Sequence, residues 1–169
     1  MVMFIISFLA CSLMMTPGDQ TGTKVETPWS SFEEGIEQAK KSNKKIMLDI
    51  YTDWCGWCKK LDREVYANKD VAKYLGDSYV SIKINAESTK KFKFKGKEYT
   101  EQQLAQAFGA TGYPTIVFLK SDSDMITKLG GYVEADRFLK ILKFLGEDHY
   151  EKMKWEEYLE KEEKSSKKK

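Results

Sequence analysis

Cys55 and Cys58 lie within Trp54-Cys55-Gly56-Trp57-Cys58-Lys59-Lys60, with two residues between the sulfur-bearing positions. The apolar run Lys45–Tyr51 precedes them and ends at Thr52-Asp53, which suits a central strand. A Cys-x-x-Cys at a strand-to-helix junction is the pattern of reversible disulfide exchange. If a helix begins inside the motif, both sulfurs share one end of it and lie close enough to bond to each other. The partial positive charge of that helix end favours thiolate over thiol, lowering a cysteine pKa from about 8.5 to roughly 3.5–7.5.

The rest of the composition narrows the chemistry. The chain has 169 residues, enough for one compact domain with tails, and 41% of them are hydrophobic. Its 28 basic residues are nearly balanced by 26 acidic ones, so no global field points to nucleic acid. A structural zinc site usually takes four ligands. Besides the motif pair this chain has Cys11 and one histidine, His149, so neither a metal nor any other cofactor is expected.

Four segments follow from composition. Residues 1–18 carry no charge, and Met1–Met15 is almost wholly apolar. That length is short for a membrane span and suits a signal-peptide core, although no Lys or Arg precedes it. Phe8-Leu9-Ala10-Cys11 resembles a bacterial lipobox, with Phe8 where that pattern prefers Leu. Three readings stand: a lipid anchor on Cys11, a cleaved soluble signal, or a retained apolar arm. All three place the domain outside the cytoplasm or at a membrane face. Residues 19–28 read as a linker, 29–146 as the domain, and 147–169 as a charged helical extension.

Within the domain, Ser31 and Glu34 form a capping-box pattern that starts a helix running to about Lys41. Trp57, Leu61 and Val65 are spaced for one face of the motif helix, and Asp70 suits a cap for another. Tyr79–Asn85 alternates as a strand. Lys90–Tyr99 alternates lysine with phenylalanine around Gly96, as a small hairpin or extended insertion that reads as a lysine-protected edge. Thr100–Gln103 is a second capping box, with Leu104, Ala107 and Phe108 as the apolar face that follows. Thr115–Leu119 and Met125–Leu129 read as a hairpin, and a helix follows Gly130-Gly131 over about Val133–Leu145. Tyr150, Met153, Trp155, Tyr158 and Leu159 make a partial apolar stripe in the extension, which predicts loose docking.

This order of elements resembles the thioredoxin fold, over roughly Trp29 to Leu145. The resemblance implies an α/β domain with a central mixed sheet flanked by helices, here with an extra charged C-terminal helix. Asp49, six residues before Cys55, stands where thioredoxins bury an acid beneath the disulfide. Lys83 stands where they place its lysine partner, and Gly112-Tyr113-Pro114-Thr115 resembles their cis-proline segment. Gly56-Trp57 replaces Gly-Pro inside the motif. With the apolar N-terminus, this looks more like the exported thioredoxin-like proteins of bacteria, including periplasmic disulfide reductases.

The resemblance implies roles. Cys55 is the attacking thiolate at an exposed helix start, and Cys58 is the resolving thiol. Asp49 takes the Cys58 proton, tempered by Lys83. Trp54, Gly56, Trp57, Tyr113 and Pro114 contact substrate, while Lys59 and Lys60 add positive charge near the helix start. Blander readings stand beside these: Asp49 as a solvated strand-end acid, Lys83 as an outward lysine, Trp57 as plain packing. The expected function is thiol-disulfide exchange that reduces exported proteins. Its partners would be protein thiols and disulfides, with a membrane electron donor or another thiol-disulfide protein as source. The competing reading is a binding or chaperone-like module with a structural Cys55–Cys58 disulfide.

Overall fold

A computed structural model describes residues 26–166. Cys11 and the apolar segment around it, most of the 19–28 linker and the last three lysines lie outside the described residues.

The chain builds β1 (Trp29–Ser30), α1 (Phe32–Ser42), β2 (Lys45–Tyr51) and α2 (Gly56–Leu61). A π-helical turn, Asp62–Tyr66, continues α2 without a break. Then come α3 (Lys69–Ser78), β3 (Tyr79–Asn85), β4 (Lys91–Phe94), β5 (Lys97–Thr100) and α4 (Glu101–Ala107). β6 (Thr115–Leu119), β7 (Met125–Gly130), α5 (Ala135–Gly146) and α6 (Trp155–Ser166) complete it. The central sheet has the order β1-β3-β2-β6-β7. β1, β3 and β2 run parallel, while β6 and β7 run antiparallel to their neighbours.

Strand alternation divides β2 between two cores. Ile46, Leu48 and Ile50 join Phe32, Ile36 and Ala39 of α1 and Leu104 and Ala105 of α4. Met47 faces the other side, with Leu61, Val65, Val71, Leu75, Phe138 and Leu142. Asp49 shares the parity of Met47. It therefore faces the layer that holds α2, the π turn, α3 and α5.

Gly35 lets α1 lie close to the sheet. A Cβ there would stand 2.5 and 2.6 Å from Cγ1 and Cδ1 of Ile82, which is fully buried. Alanine gains about 1 kcal/mol of helix propensity over glycine, but overpacking costs about 1–3 kcal/mol. Gly35→Ala is therefore expected to lose up to about 2 kcal/mol of stability in urea unfolding. A midpoint raised above the wild type's would show that Ile82 yields freely and leaves only the gain in helix propensity.

Several local expectations are corrected. The Ser31 hydroxyl donates to Glu34 at 2.6 Å and caps no amide, so the first capping box does not form. The second does, with Thr100 Oγ1 accepting from Gln103 N and Gln103 Oε1 from Thr100 N. Asn68, not Asp70, caps α3: its Oδ1 accepts from the amides of Asp70 and Val71. The buried face of α2 is Cys58 and Leu61, continued by Val65, while Trp57 points outward at 58% exposure. In α4 Leu104 and Ala105 are buried and Ala107 is exposed.

The lysine-rich insertion is not an edge of the main sheet. β4 and β5 pair only with each other. Phe92 and Phe94 pack on Phe32, with ring centroids 4.4 and 5.3 Å away, while Lys91 and Lys95 pair with Glu98 and Asp124. The C-terminal extension docks more firmly than its charge suggests. Tyr158 is 4% exposed, and its ring and that of Trp155 each lie 5.2 Å from Phe144.

Candidate active site

Three chain segments meet at the C-terminal end of β2. The first is the turn into α2, where the Cys55 amide donates to the Thr52 carbonyl at 3.1 Å. Cys55 is the N-cap residue of α2, with extended backbone, and its sulfur accepts from the Cys58 amide at 3.0 Å. The two sulfurs are bonded to each other, with Cα atoms 5.3 Å apart. A spacing of three residues across a helix start brings two Cys side chains together in this way. Both cysteines are only 3% exposed, which corrects the expectation of an exposed Cys55. Gly56 is exposed beside them, and a Cβ there would meet nothing within 4 Å.

The second segment is the loop before β6. Tyr113-Pro114 is cis, Pro114 is buried, and the Tyr113 ring meets Trp54 edge-on at 6.0 Å. The Thr115 hydroxyl donates to the Gly112 carbonyl at 2.7 Å and ties the loop down. Trp54 is 66% exposed, and its indole N–H donates to Glu87 at 2.9 Å. The third segment follows β7. The Gly131 amide donates to the Pro114 carbonyl, and its φ of 83° is a conformation glycine adopts without strain. This turn brings Tyr132 to within 5.7 Å of Trp57, measured between ring centroids.

Asp49 is 1% exposed, and its register partner across β2 and β3 is Lys83. The Lys83 ammonium lies 3.6 Å from Asp49 Oδ2 and makes a shorter ion pair with Asp62 of the π turn. It also sits over the rings of Tyr51, Trp29 and Tyr66, at 5.0, 5.1 and 5.9 Å. Lys83 is therefore neither outward nor devoted to Asp49. Burial pushes the Asp49 carboxyl up from 3.8 to about 7; Lys83 opposes the rise and Asp62 adds to it. The nearby Tyr66 hydroxyl favours the ionised form slightly, but it lacks hydrogen-bond geometry, and Asp49 Oδ1 has no hydrogen-bond partner among the described residues. Burial, with Asp49 and Asp62 adding to it, pushes the Tyr66 phenol well above its ordinary range.

Every site residue expected from sequence within residues 26–166 thus falls in this region, either around the sulfurs or in the Asp49–Lys83 cluster. Sequence reasoning missed Asp62, Tyr66, Glu87 and Tyr132. Asp62 carried a usable signal, since it follows Cys58 by four residues and so lies one turn along the same face. Tyr132 carried none, because its place depends on the turn after β7. Among the described residues no cluster of His, Cys, Asp and Glu fits a metal ion, and no helix is long and apolar enough to cross a membrane.

Comparison with known proteins agrees with this geometry. The chain is 29% identical over 119 residues to a thiol:disulfide interchange protein, DsbD, of Photorhabdus laumondii, covering 69% of this chain and 19% of that protein. It is 23% identical over 103 residues to the disulfide bond reductase DsbH of Chlamydia pneumoniae, covering 60% of this chain and 61% of that one. The chain therefore spans less than two thirds of either relative. A solved thioredoxin-fold protein from Helicobacter pylori superposes with a TM-score of 0.63 at 24% identity, over 73% of this chain and 82% of that one. Residues 32–146, which run from the first residue of α1 to the last of α5, match the thioredoxin-like domain family along more than half of the sequence, and the chain belongs to that family.

Proposed function

We propose that the protein is a thiol-disulfide oxidoreductase that reduces disulfides of exported proteins through Cys55 and Cys58. One observation carries this reading: a Cys55–Cys58 disulfide at the start of α2, on the sheet face that also buries Asp49 with a pKa of about 7. A disulfide kept only for stability has no use for a buried carboxyl that costs stability to hold.

In the reduced protein the Cys55 thiolate attacks one sulfur of the substrate disulfide. A Cys55–substrate bond forms, and the other substrate sulfur leaves as a thiolate and takes a proton. Cys58 then gives its proton to Asp49 and attacks Cys55 Sγ. The Cys55–Cys58 bond forms as the Cys55–substrate bond breaks, and the released substrate sulfur leaves as a thiolate and takes a proton in its turn. Two electrons have passed to the substrate, now a dithiol, and the protein is oxidised. An acid with a pKa near neutrality suits this exchange, because it can accept and release the proton at little cost. Tyr113 and cis-Pro114 offer an extended edge to the substrate backbone, and Trp54 walls that side of the sulfurs. Gly56 leaves the approach clear.

The reducing direction is supported by the Asp49–Lys83 pair and by the relative named a disulfide bond reductase. Export rests on the apolar residues 1–18, with Cys11 as the lipid attachment point in the anchored form. Outside the cytoplasm a reductant needs a supply of electrons, from a membrane donor or another thiol-disulfide protein. Equilibration with glutathione tests the direction. The potential is expected nearer to about −270 mV than to about −120 mV. A value at the oxidising end would make the protein a disulfide donor instead.

A further inference from the structure

The central sheet ends in two unlike edges. β1 is two residues long and offers little to pair with. β7 runs over Met125–Gly130, with β6 on one side and no strand on the other among the described residues. Open edges are usually guarded by proline, by projecting charge or by a bulge. β7 has no proline, and its one charged residue, Lys128, is tethered: its ammonium donates to the Gly109 carbonyl at 2.7 Å. The irregularity in the β6–β7 pairing falls between Phe118 and Leu119, at the Met125 end, and leaves Thr127–Gly130 in regular register.

Beside this edge lies an apolar groove of about 430 Å³ between β7, α5 and the start of α6. Leu129, Ile141, Phe144 and Trp155 line it, and exposed Arg137 borders it. Trp155 lies in the C-terminal extension, so the groove is completed by a part of the chain outside the thioredoxin-like match. Arg137 has no ion-pair partner among the described residues. The other end of the edge is acidic. Met125, itself 56% exposed, follows Asp122 and Asp124, and Asp122 holds only the Asp124 amide, at 3.0 Å. An edge with an unpaired cation at one end and acids at the other is complementary to its own reversed copy. A membrane or an acyl chain would use neither the strand edge nor the acids.

We propose that β7 pairs antiparallel with β7 of a second copy, about a two-fold axis at Thr127, so that two five-stranded sheets become one continuous sheet. Such an axis must pass between a residue and its own copy, and charge selects which residue. With the axis at Thr127, Lys128 stands opposite Ile126 of the second copy and Met125 opposite Leu129. Gly130 falls opposite Asp124, which carries Arg137 toward the Asp122–Asp124 turn of the second copy. An axis at Lys128 would set two ammonium groups against each other. One at Leu129 would carry Arg137 toward Lys128 of the second copy. The pairing covers Met125 and the mouth of the groove. Because β7 runs parallel to β2, the two disulfides point to opposite ends of the dimer and stay open to substrate. The dimer is therefore independent of the disulfide-exchange reading.

Sedimentation equilibrium of the full chain is expected to give the dimer mass at about 100 μM. Thr127→Lys sets two lysines against each other at the axis and should weaken the dimer about tenfold or more. Thr127 is exposed, so the variant should keep the wild-type circular dichroism and the wild-type rate with glutathione disulfide. Arg137→Glu should also weaken the dimer, and Asp122→Arg added to the same chain should restore it. Mild oxidation should link Thr127→Cys across the axis, since opposed Cα atoms lie about 4.5–5.5 Å apart, within disulfide range. Lys128→Cys should not link, because its two copies would stand about 8 Å apart. A monomer mass at every concentration overturns the proposal. So does a dimer that survives Thr127→Lys, as association through the apolar residues 1–18 would, or a Lys128→Cys link in place of the Thr127→Cys link. None of these outcomes bears on disulfide exchange.

Discussion

A Cys58→Ser variant is expected to hold its protein substrate as a covalent adduct, and a Cys55→Ser variant to form no adduct and to reduce insulin only at the background rate. The asymmetry follows from where each sulfur sits. Cys55 caps α2, and its sulfur already accepts the Cys58 amide, so negative charge there meets unpaired helix amides. Cys58 lies inside the first turn on the buried face it shares with Leu61, and although the two sulfurs are equally buried, only Cys55 stands at the N-cap where a thiolate is stabilised. Its access is to Cys55 itself. A resolving thiol held at an effective molarity of even about 10⁵ M outruns millimolar external thiol by many orders of magnitude. Without it the mixed disulfide persists. Non-reducing electrophoresis and intact mass spectrometry of the two variants with oxidised insulin read the result directly. Adducts on Cys55→Ser instead would reverse the order of attack, and insulin reduction by Cys55→Ser at the wild-type rate would leave the disulfide a structural one.

The parts of the fold written in local pattern were legible from the sequence. β2 and β3 begin and end where their local patterns do, an apolar run interrupted only by Asp49 and closed by Thr52-Asp53 in β2, and an alternation that stops at Asn85 in β3. The Thr100–Gln103 cap was legible for the same reason, since its bonds are made within four residues. Ser31 has the same pattern and fails, because its hydroxyl prefers the Glu34 carboxylate to an amide. The insertion at Lys91–Thr100 showed its alternation but not its destination. Pairing with a partner strand is decided by tertiary packing, here by Phe32 beneath Phe92 and Phe94. The site divides in the same way. Cys55, Cys58 and Pro114 stand in a motif or a recognisable segment. The links among Lys83, Asp62 and Trp29, and between Tyr132 and Trp57, join residues 21 to 75 positions apart and leave no periodic trace.

Asp49 joins stability to chemistry. In the unfolded chain its carboxyl ionises near 3.8; in the folded chain burial holds the proton until about pH 7. Between those values the folded state binds the extra proton, so stability falls as pH rises through that window and the full penalty is present above about pH 7. A rise from 3.8 to about 7 corresponds to at most about 4 kcal/mol. Asp49→Asn removes the ionisation. The oxidised variant is therefore expected to exceed the wild type by up to about 4 kcal/mol in urea unfolding at pH 8, and by almost nothing at pH 3.5. Lys83 limits the penalty without cancelling it, because its closer partner is Asp62. The same variant should turn over insulin more slowly and lose the inflection near pH 7 from its rate profile, since no group remains to take the Cys58 proton. A gain of equal size at both pH values would mean that the amide packs better rather than that a charge was removed. Wild-type turnover by Asp49→Asn would take Asp49 out of the reaction. The two readouts oppose each other because holding a neutral-pKa acid inside a core is a stability cost that only proton transfer justifies.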